Sequence, residues 1–292
     1  MEFFAYSLVL ISAFTHAYWN FVLKQAGGTQ VFIGLSKIVE MGLFLVPFVY
    51  LVVKNEIALL DYWLFYVVGA LLVIFNYLFL GQAYTRGELS LVYPISRTGA
   101  LLFLPILAFV LIDEKVDVVG IIAILLILSG LLAIQLRGFS LGEISNLFSK
   151  LNSPAIALAI LAAFTTAGYT LWDKYSISFL SPFIYFYAYT AIVAVSYAIF
   201  ILVKNPLSEI RGEWARHKFS IVQVGFFNTF SYLLVLYSLQ TGKASYVIAL
   251  RQLSIAFGVV LGWKLLGEAM PIPKTIGVAT LLAGCFLISL AR

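Results

Sequence analysis

Charge is what this sequence has least of. Only 11% of its 292 residues are Asp, Glu, Lys or Arg, against about 25% in a soluble domain. Hydrophobic residues make up 63%. A soluble fold of this size cannot cover so much apolar surface, so the chain reads as an integral membrane protein whose surroundings are the lipid bilayer. Cysteine is nearly absent. The single Cys285 excludes an internal disulfide and a cysteine-built metal cluster, and in its apolar run it reads as a buried, inert thiol. The net charge of +5 is scattered over loops rather than gathered into a stripe, so no nucleic-acid partner is expected. A phosphate-binding glycine loop, a nucleophile motif and paired acids beside a histidine are all missing. The expectation is therefore neither an enzyme nor an ATP-driven pump, and no cofactor. The N-terminus lacks a basic stretch and a small-residue cleavage site, and reads as a retained first span rather than a signal peptide.

What the chain does have is long apolar runs. Crossing the hydrocarbon core takes about 20 mainly apolar residues per helix. Ten runs qualify: 3–24, 30–53, 60–83, 88–112, 116–136, 154–176, 182–203, 219–240, 243–266 and 271–291. They are continuous, without the ten-residue alternation of a barrel, so helices are predicted. The longest connections are 137–153 and 204–218. The expected fold is an all-α integral membrane protein of ten transmembrane helices, with five in residues 1–137, a connecting loop at 138–153 and five in 154–292.

The two halves repeat. "SAFTHAYWNFVLK" at 12–24 matches "AAFTTAGYTLWDK" at 162–174 through Ala13, Phe14, Thr15, Ala17 and Lys24. Gly87, Ser90 and Val92 then align with Gly242, Ser245 and Val247. After a one-residue slip, Arg97 aligns with Arg251, Glu114 with Glu268 and Gly130 with Gly284. An odd number of spans per unit forces the second unit to enter the membrane from the opposite side. Such an inverted repeat is the plan of many secondary transporters, with the substrate site at the repeat interface.

The sequence also resembles the drug/metabolite transporter superfamily in its EamA-type branch. "LIDEKVD" at 111–117 and "LLGEAMP" at 265–271 are similar to the acidic turn that follows the fourth helix of each repeat in that family. "HAYWNFVLK" at 16–24, "SLVYPISRTG" at 90–99, "GYTLWDKY" at 168–175 and "ALRQLS" at 249–254 resemble one subgroup of it. There the arginine of the last motif is followed by an acid; here Gln252 stands in that place. The resemblance covers nearly the whole chain and implies export or uptake of small metabolites.

A charge at the centre of a spanning helix costs about 2.5–3.5 kcal/mol, so such residues need a partner or a wet cavity. Lys37, Glu40, Arg97 and Arg251 lie deep in predicted spans. Arg97 and Arg251 are each about nine residues into their helix, or about 13 Å, near the midplane. Two guanidinium groups in one cavity require an anion or carboxylate between them. They are candidate ligands for an anionic substrate group, and pairing with backbone carbonyls or a protein acid is the structural alternative. Lys37 and Glu40, at i and i+3, can neutralise each other or serve as coupling groups that exchange a proton. Positions 12, 16, 20 and 24 form one slowly drifting helical stripe that carries His16, Asn20 and Lys24. That stripe should face the bundle, with the lysine reaching the interface. His16 is a candidate ligand and proton carrier, and Trp19, Tyr93, Tyr169 and Gln252 complete the candidate wall of the site. The glycines of "GVVLG" at 258–262 form a small-residue face for close packing or a dimer contact, which leaves monomer and homodimer both open.

Lysine and arginine normally mark the cytoplasmic side. Lys54, Lys115, Lys174, Lys243 and Arg292 fall on the side of the termini, against twice as many on the other side. The count favours termini outside, whereas the resemblance implies termini inside. The expected function is secondary transport of a small organic metabolite, with an anionic group suggested by the arginines, by alternating access in a prokaryotic cytoplasmic (inner) membrane. The alternative is a flippase for a lipid-linked head group on the same architecture.

Overall fold

The computed structural model describes residues 3–87, 89–136 and 153–291. The side chains at 89–91, 93 and 94 lie outside that description, and with them the candidate Tyr93. The described residues form eleven α-helices and no strand. In the first half these are α1 (Phe3–Gln25), α2 (Gln30–Lys54), α3 (Trp63–Arg86), α4 (Leu89–Ile112) and α5 (Val118–Gln135). In the second they are α6 (Pro154–Ser176), α7 (Pro182–Lys204), α8 (Leu207–Thr241), α9 (Ala244–Arg251), α10 (Leu253–Leu266) and α11 (Ile272–Leu290).

Local chemistry sets the helix ends. Thr29 accepts from the Phe32 N–H and Asp117 from the Gly120 N–H, capping α2 and α5. Ser153 and Ser181 cap α6 and α7, each followed by proline at the first helical position. Gly267, at φ 67°, ends α10 in the left-handed conformation that glycine adopts without strain.

Among the described residues, nine helical segments are long and apolar enough to cross a membrane, with α9 and α10 counted together. The predicted first span, α1, has 23 residues and so is long enough, but its polar stripe keeps it out of that set. It packs against α8, α9 and α10 rather than standing alone. Outward faces are apolar, as lipid contact requires: Val46 of α2, Val110 of α4 and Phe286 of α11 are among the exposed large side chains.

Two boundaries differ from the sequence expectation. Residues 204–218 were expected as a connection, yet α8 begins at Leu207 and runs through them, with non-helical backbone only at His217 (φ −126°). Its polar first segment is held by buried Glu213, which bonds Thr29 and Arg216, and so lacks the apolar run by which a span is recognised. The expected single span at 243–266 is two helices, broken at Arg251–Gln252. There Gln252 N bonds Ala249 O and Ile255 N bonds Gln252 O, the tighter i+3 pattern.

Exchanging the two halves (α1 for α6, α2 for α7, α3 for α8, α4 for α9–α10, α5 for α11) carries the helix contacts onto one another. α1 on α8 becomes α6 on α3, and α4 on α6 becomes α9–α10 on α1. The pairs α2–α7, α4–α9 and α5–α11 map onto themselves. This pattern is compatible with the inverted repeat. Its closest approach is the α5–α11 seam. A methyl group on Gly130 would meet Gly277 O at 2.7 Å, and one on Gly284 would meet Ala123 O at 2.8 Å. Backbones this near exclude any larger residue.

Candidate functional site

Polar side chains converge in the middle of the bundle because no other place in an apolar sequence can hold them. A cavity of about 200 Å³ lies between α1, α2, α3, α4, α6, α7, α8 and the α9–α10 break. His16, Trp19, Lys37, Arg97, Tyr169, Arg251 and Gln252, all selected from sequence, line it. Asn20 lines a second space of about 520 Å³, which shares His16, Arg97 and Ser254 with the first and reaches Lys24, Glu268 and Lys274. The glycines of the small-residue stripe, Gly258 and Gly262, face this outer space. Glu40 lies behind the wall, buried, with Lys37 Nζ at 2.9 Å and Asn228 Nδ2 at 3.0 Å from its Oε2.

Arg251 sits at the helix break. Its Nη2 is 3.4 Å from His16 Nδ1, and its guanidinium lies 5.0 Å above the Tyr232 ring. Its Nε is buried without a hydrogen-bond partner among the described residues, as is Trp19 Nε1. His16 and Trp19 pack edge to face at 4.9 Å. Two orphaned N–H groups in one cavity are unusual, since buried donors are nearly always satisfied. Both can only donate, so they call for an acceptor that the described residues do not supply. Asn20 and Gln252 are instead tied to their own helices, donating to His16 O and Ile248 O.

Other residues of the site escaped the sequence reading. Asn76 of α3 donates to Ala162 O at 2.7 Å and Thr166 Oγ1 at 2.8 Å, joining α3 to α6 at the cavity wall. Asp173 is fully buried, and its two oxygens accept from Tyr185 Oη (2.7 Å) and Tyr232 Oη. Tyr77, Tyr189, Asn228 and Tyr232 add to the lining. A signal for Asp173 was its motif: a second charge beside Lys174 inside a predicted span.

Each end of the bundle carries a lysine–glutamate pair, and the two pairs are repeat equivalents. At one end Lys174 Nζ lies 3.2 Å from Glu114 Oε2 and donates to Gly242 O. Glu114 also accepts from the N–H groups of Ala244 and Ser245 and from Ser245 Oγ, capping α9. Burial pushes the Glu114 carboxyl up, but the Ser245 bonds, the Lys174 charge and the Ala244 N–H outweigh it and hold the group below its ordinary value. At the other end Lys24 pairs with Glu268, and Lys274 Nζ is 3.8 Å from its second oxygen. The Lys24 hydrogen bond, with both lysine charges, overcomes burial and keeps Glu268 low as well. α9 and α10 run from the first pair to the second, about 22 residues or about 33 Å, so the pairs cap opposite ends. The Lys174 and Glu114 side chains are 25% and 5% exposed, those of Lys24 and Glu268 64% and 31%. The first pair is thus the more buried of the two, and the second borders the outer space of about 520 Å³.

Residues 153–290 match the model of the EamA-like transporter family, in agreement with the resemblance read from the arginine motifs and acidic turns. A solved structure described only as "Crystal structure of protein" superimposes with a TM-score of 0.73, covering 98% of this chain and 97% of that one at 13% identity. That likeness shows the fold alone. No curated protein matches the chain.

Proposed function

We propose that this membrane protein, whose second half is an EamA-like transporter unit, is a secondary transporter that carries a small organic anion by alternating access. The observation that supports it best is the central cavity itself. Polar side chains line it, Arg251 and Trp19 among them with the orphaned donors Nε and Nε1, and equivalent ion pairs of unequal burial stand at the two ends of the bundle. An anion supplies the acceptors that these donors lack and the charge that Arg97 and Arg251 attract. The unequal ends correspond to one of two states, and reversal of the inequality corresponds to the other. A prokaryotic cytoplasmic membrane is the setting we assign. Any drive comes from gradients, since the sequence holds no phosphate-binding loop.

The test is a thermal-shift screen of small carboxylates, phosphates and neutral metabolites on the purified chain, followed by counterflow uptake in proteoliposomes. An anion that stabilises the protein is expected to be taken up, and to lose both effects in Arg251→Gln. Stabilisation by neutral compounds alone, or anion uptake unaltered in Arg251→Gln, would reject the anion site.

A further inference from the structure

We propose that Asp173 is the proton-binding site that couples proton movement to the anion, so that the two cross together as a symport. The inference rests on the transporter reading above and adds the coupling ion to it.

Asp173 is 0% exposed, yet the hydrogen-bond donors at its two oxygens are neutral tyrosine hydroxyls, Tyr185 Oη and Tyr232 Oη. The neighbouring cation on its own helix, Lys174, is turned to Glu114 and Gly242 O. Arg251 of the substrate site is linked to it through Tyr232, which carries the guanidinium above its ring and gives its hydroxyl to the carboxylate. Tyr232 lines the cavity, and so joins a wet space to a dry acid.

The other titratable groups around Asp173 are Tyr169 on its own helix and Tyr189 on α7. α3 approaches with Gly69, where a methyl group would meet Tyr185 Oη at 2.7 Å, and with Tyr66 one turn earlier. Arg97 of α4 and His16 of α1 share the cavity with Arg251. The positive charge that favours an ionised Asp173 therefore belongs to the substrate site. An anion bound at Arg251 cancels that charge and places a second negative group nearby, and both effects favour the protonated acid. The proton enters from the open end. Tyr232 Oη takes it up as its own proton passes to Asp173 Oδ2, and the reverse transfer releases it at the other end together with the anion. One cycle with a monoanion then moves no net charge. A carboxylate serving only to anchor the two tyrosines would need no link to Arg251.

The experiment needs no substrate. Infrared difference spectra are recorded on the full chain in liposomes between about pH 8 and about pH 5, a window that lies above the ordinary carboxyl values of about 3.9 to 4.3, so that solvated carboxylates stay silent in it. The wild type is expected to gain a protonated-carboxyl carbonyl band that Asp173→Asn lacks. In Arg251→Gln the midpoint of that band should rise by on the order of one pH unit, because a cation has been removed. Tyr185→Phe, which removes one donor to the carboxylate, should raise it too. A band that persists in Asp173→Asn, or a midpoint unmoved by Arg251→Gln, overturns the proposal. If Asp173→Asn does not fold, Tyr185→Phe decides, and an unmoved midpoint there has the same force. Loss of anion uptake with these shifts intact would fault the transporter reading alone. Intact uptake without a titrating Asp173 would fault the coupling alone.

Discussion

Trp19 offers a way to separate shape from hydrogen bonding inside the cavity. Its ring packs on His16 while its Nε1–H has no acceptor among the described residues. Trp19→Phe keeps an aromatic ring and removes the donor. If a substrate acceptor fills that place, the change should cost about 1–1.5 kcal/mol, or roughly 5- to 12-fold in affinity, with little loss of thermal stability. Isothermal titration with an anion from the screen measures it, and an unchanged Kd would leave the indole as packing only. The arginines were legible in the sequence because a charge inside an apolar run stands out against its neighbours. Tyr232 and Asn76 were not, since one more tyrosine among 17, or one asparagine, carries no local contrast. Asp173 lay inside the quoted motif "GYTLWDKY", but next to Lys174 near a span end its charge has an adjacent partner in sequence and so no contrast of its own. Only the folded chain turns the lysine one way and the acid another.

At the scale of elements, the most exacting contact is the α5–α11 seam. A side chain at Gly277 would have its Cβ 2.6 Å from Ile134 N and 2.7 Å from Gly130 O, both rigid backbone atoms. Gly277→Val should therefore force the helices apart and cost about 1–3 kcal/mol. The readout is the melting temperature of the detergent-extracted protein, and an unshifted melting curve would contradict so close an approach. The repeat alignment had paired Gly130 with Gly284 without saying what either touched, because sequence gives periodicity and not the partner. The polar start of α8 carries no such periodicity, for a related reason. With Arg211, Glu213, Arg216 and Lys218 in one short stretch it reads as a loop on composition, and its helix is fixed by the buried Glu213 rather than by an apolar face. The break at Arg251–Gln252 had no proline or glycine to announce it.

At the scale of the whole molecule, the two lysine–glutamate pairs set the expected response to pH. Glu114 and Glu268 are held below their ordinary values. A depressed carboxylate contributes its stabilisation above its unfolded value, and the contribution is lost as pH falls through the lower folded one. Both pairs should then persist from about pH 8 to about pH 5, well above the ordinary glutamate value of about 4.3. A change in transport across that window would therefore not come from these two pairs. A cysteine at Ala244, buried beside Glu114 and bonded to it only through its backbone, in a chain where the buried Cys285 has been replaced by alanine, should react with a hydrophilic maleimide at the same slow rate at both pH values. Glu114→Gln removes the partner of Lys174 and weakens the cap on α9. It should speed that reaction at least severalfold. Equal rates in the two chains would show that this pair does not keep its end shut.

The glycine seam bears on how such a molecule moves. It joins the last helix of one half to the last helix of the other, and exchange of the halves maps it onto itself. Neither backbone has room to slide past the other without steric collision. A rocking motion would therefore have its fulcrum there, with the lever arms being the helices around the cavity. A lesion at the seam would slow the forward and return strokes alike, whereas a lesion at either lysine–glutamate latch would bias the cycle toward one stroke.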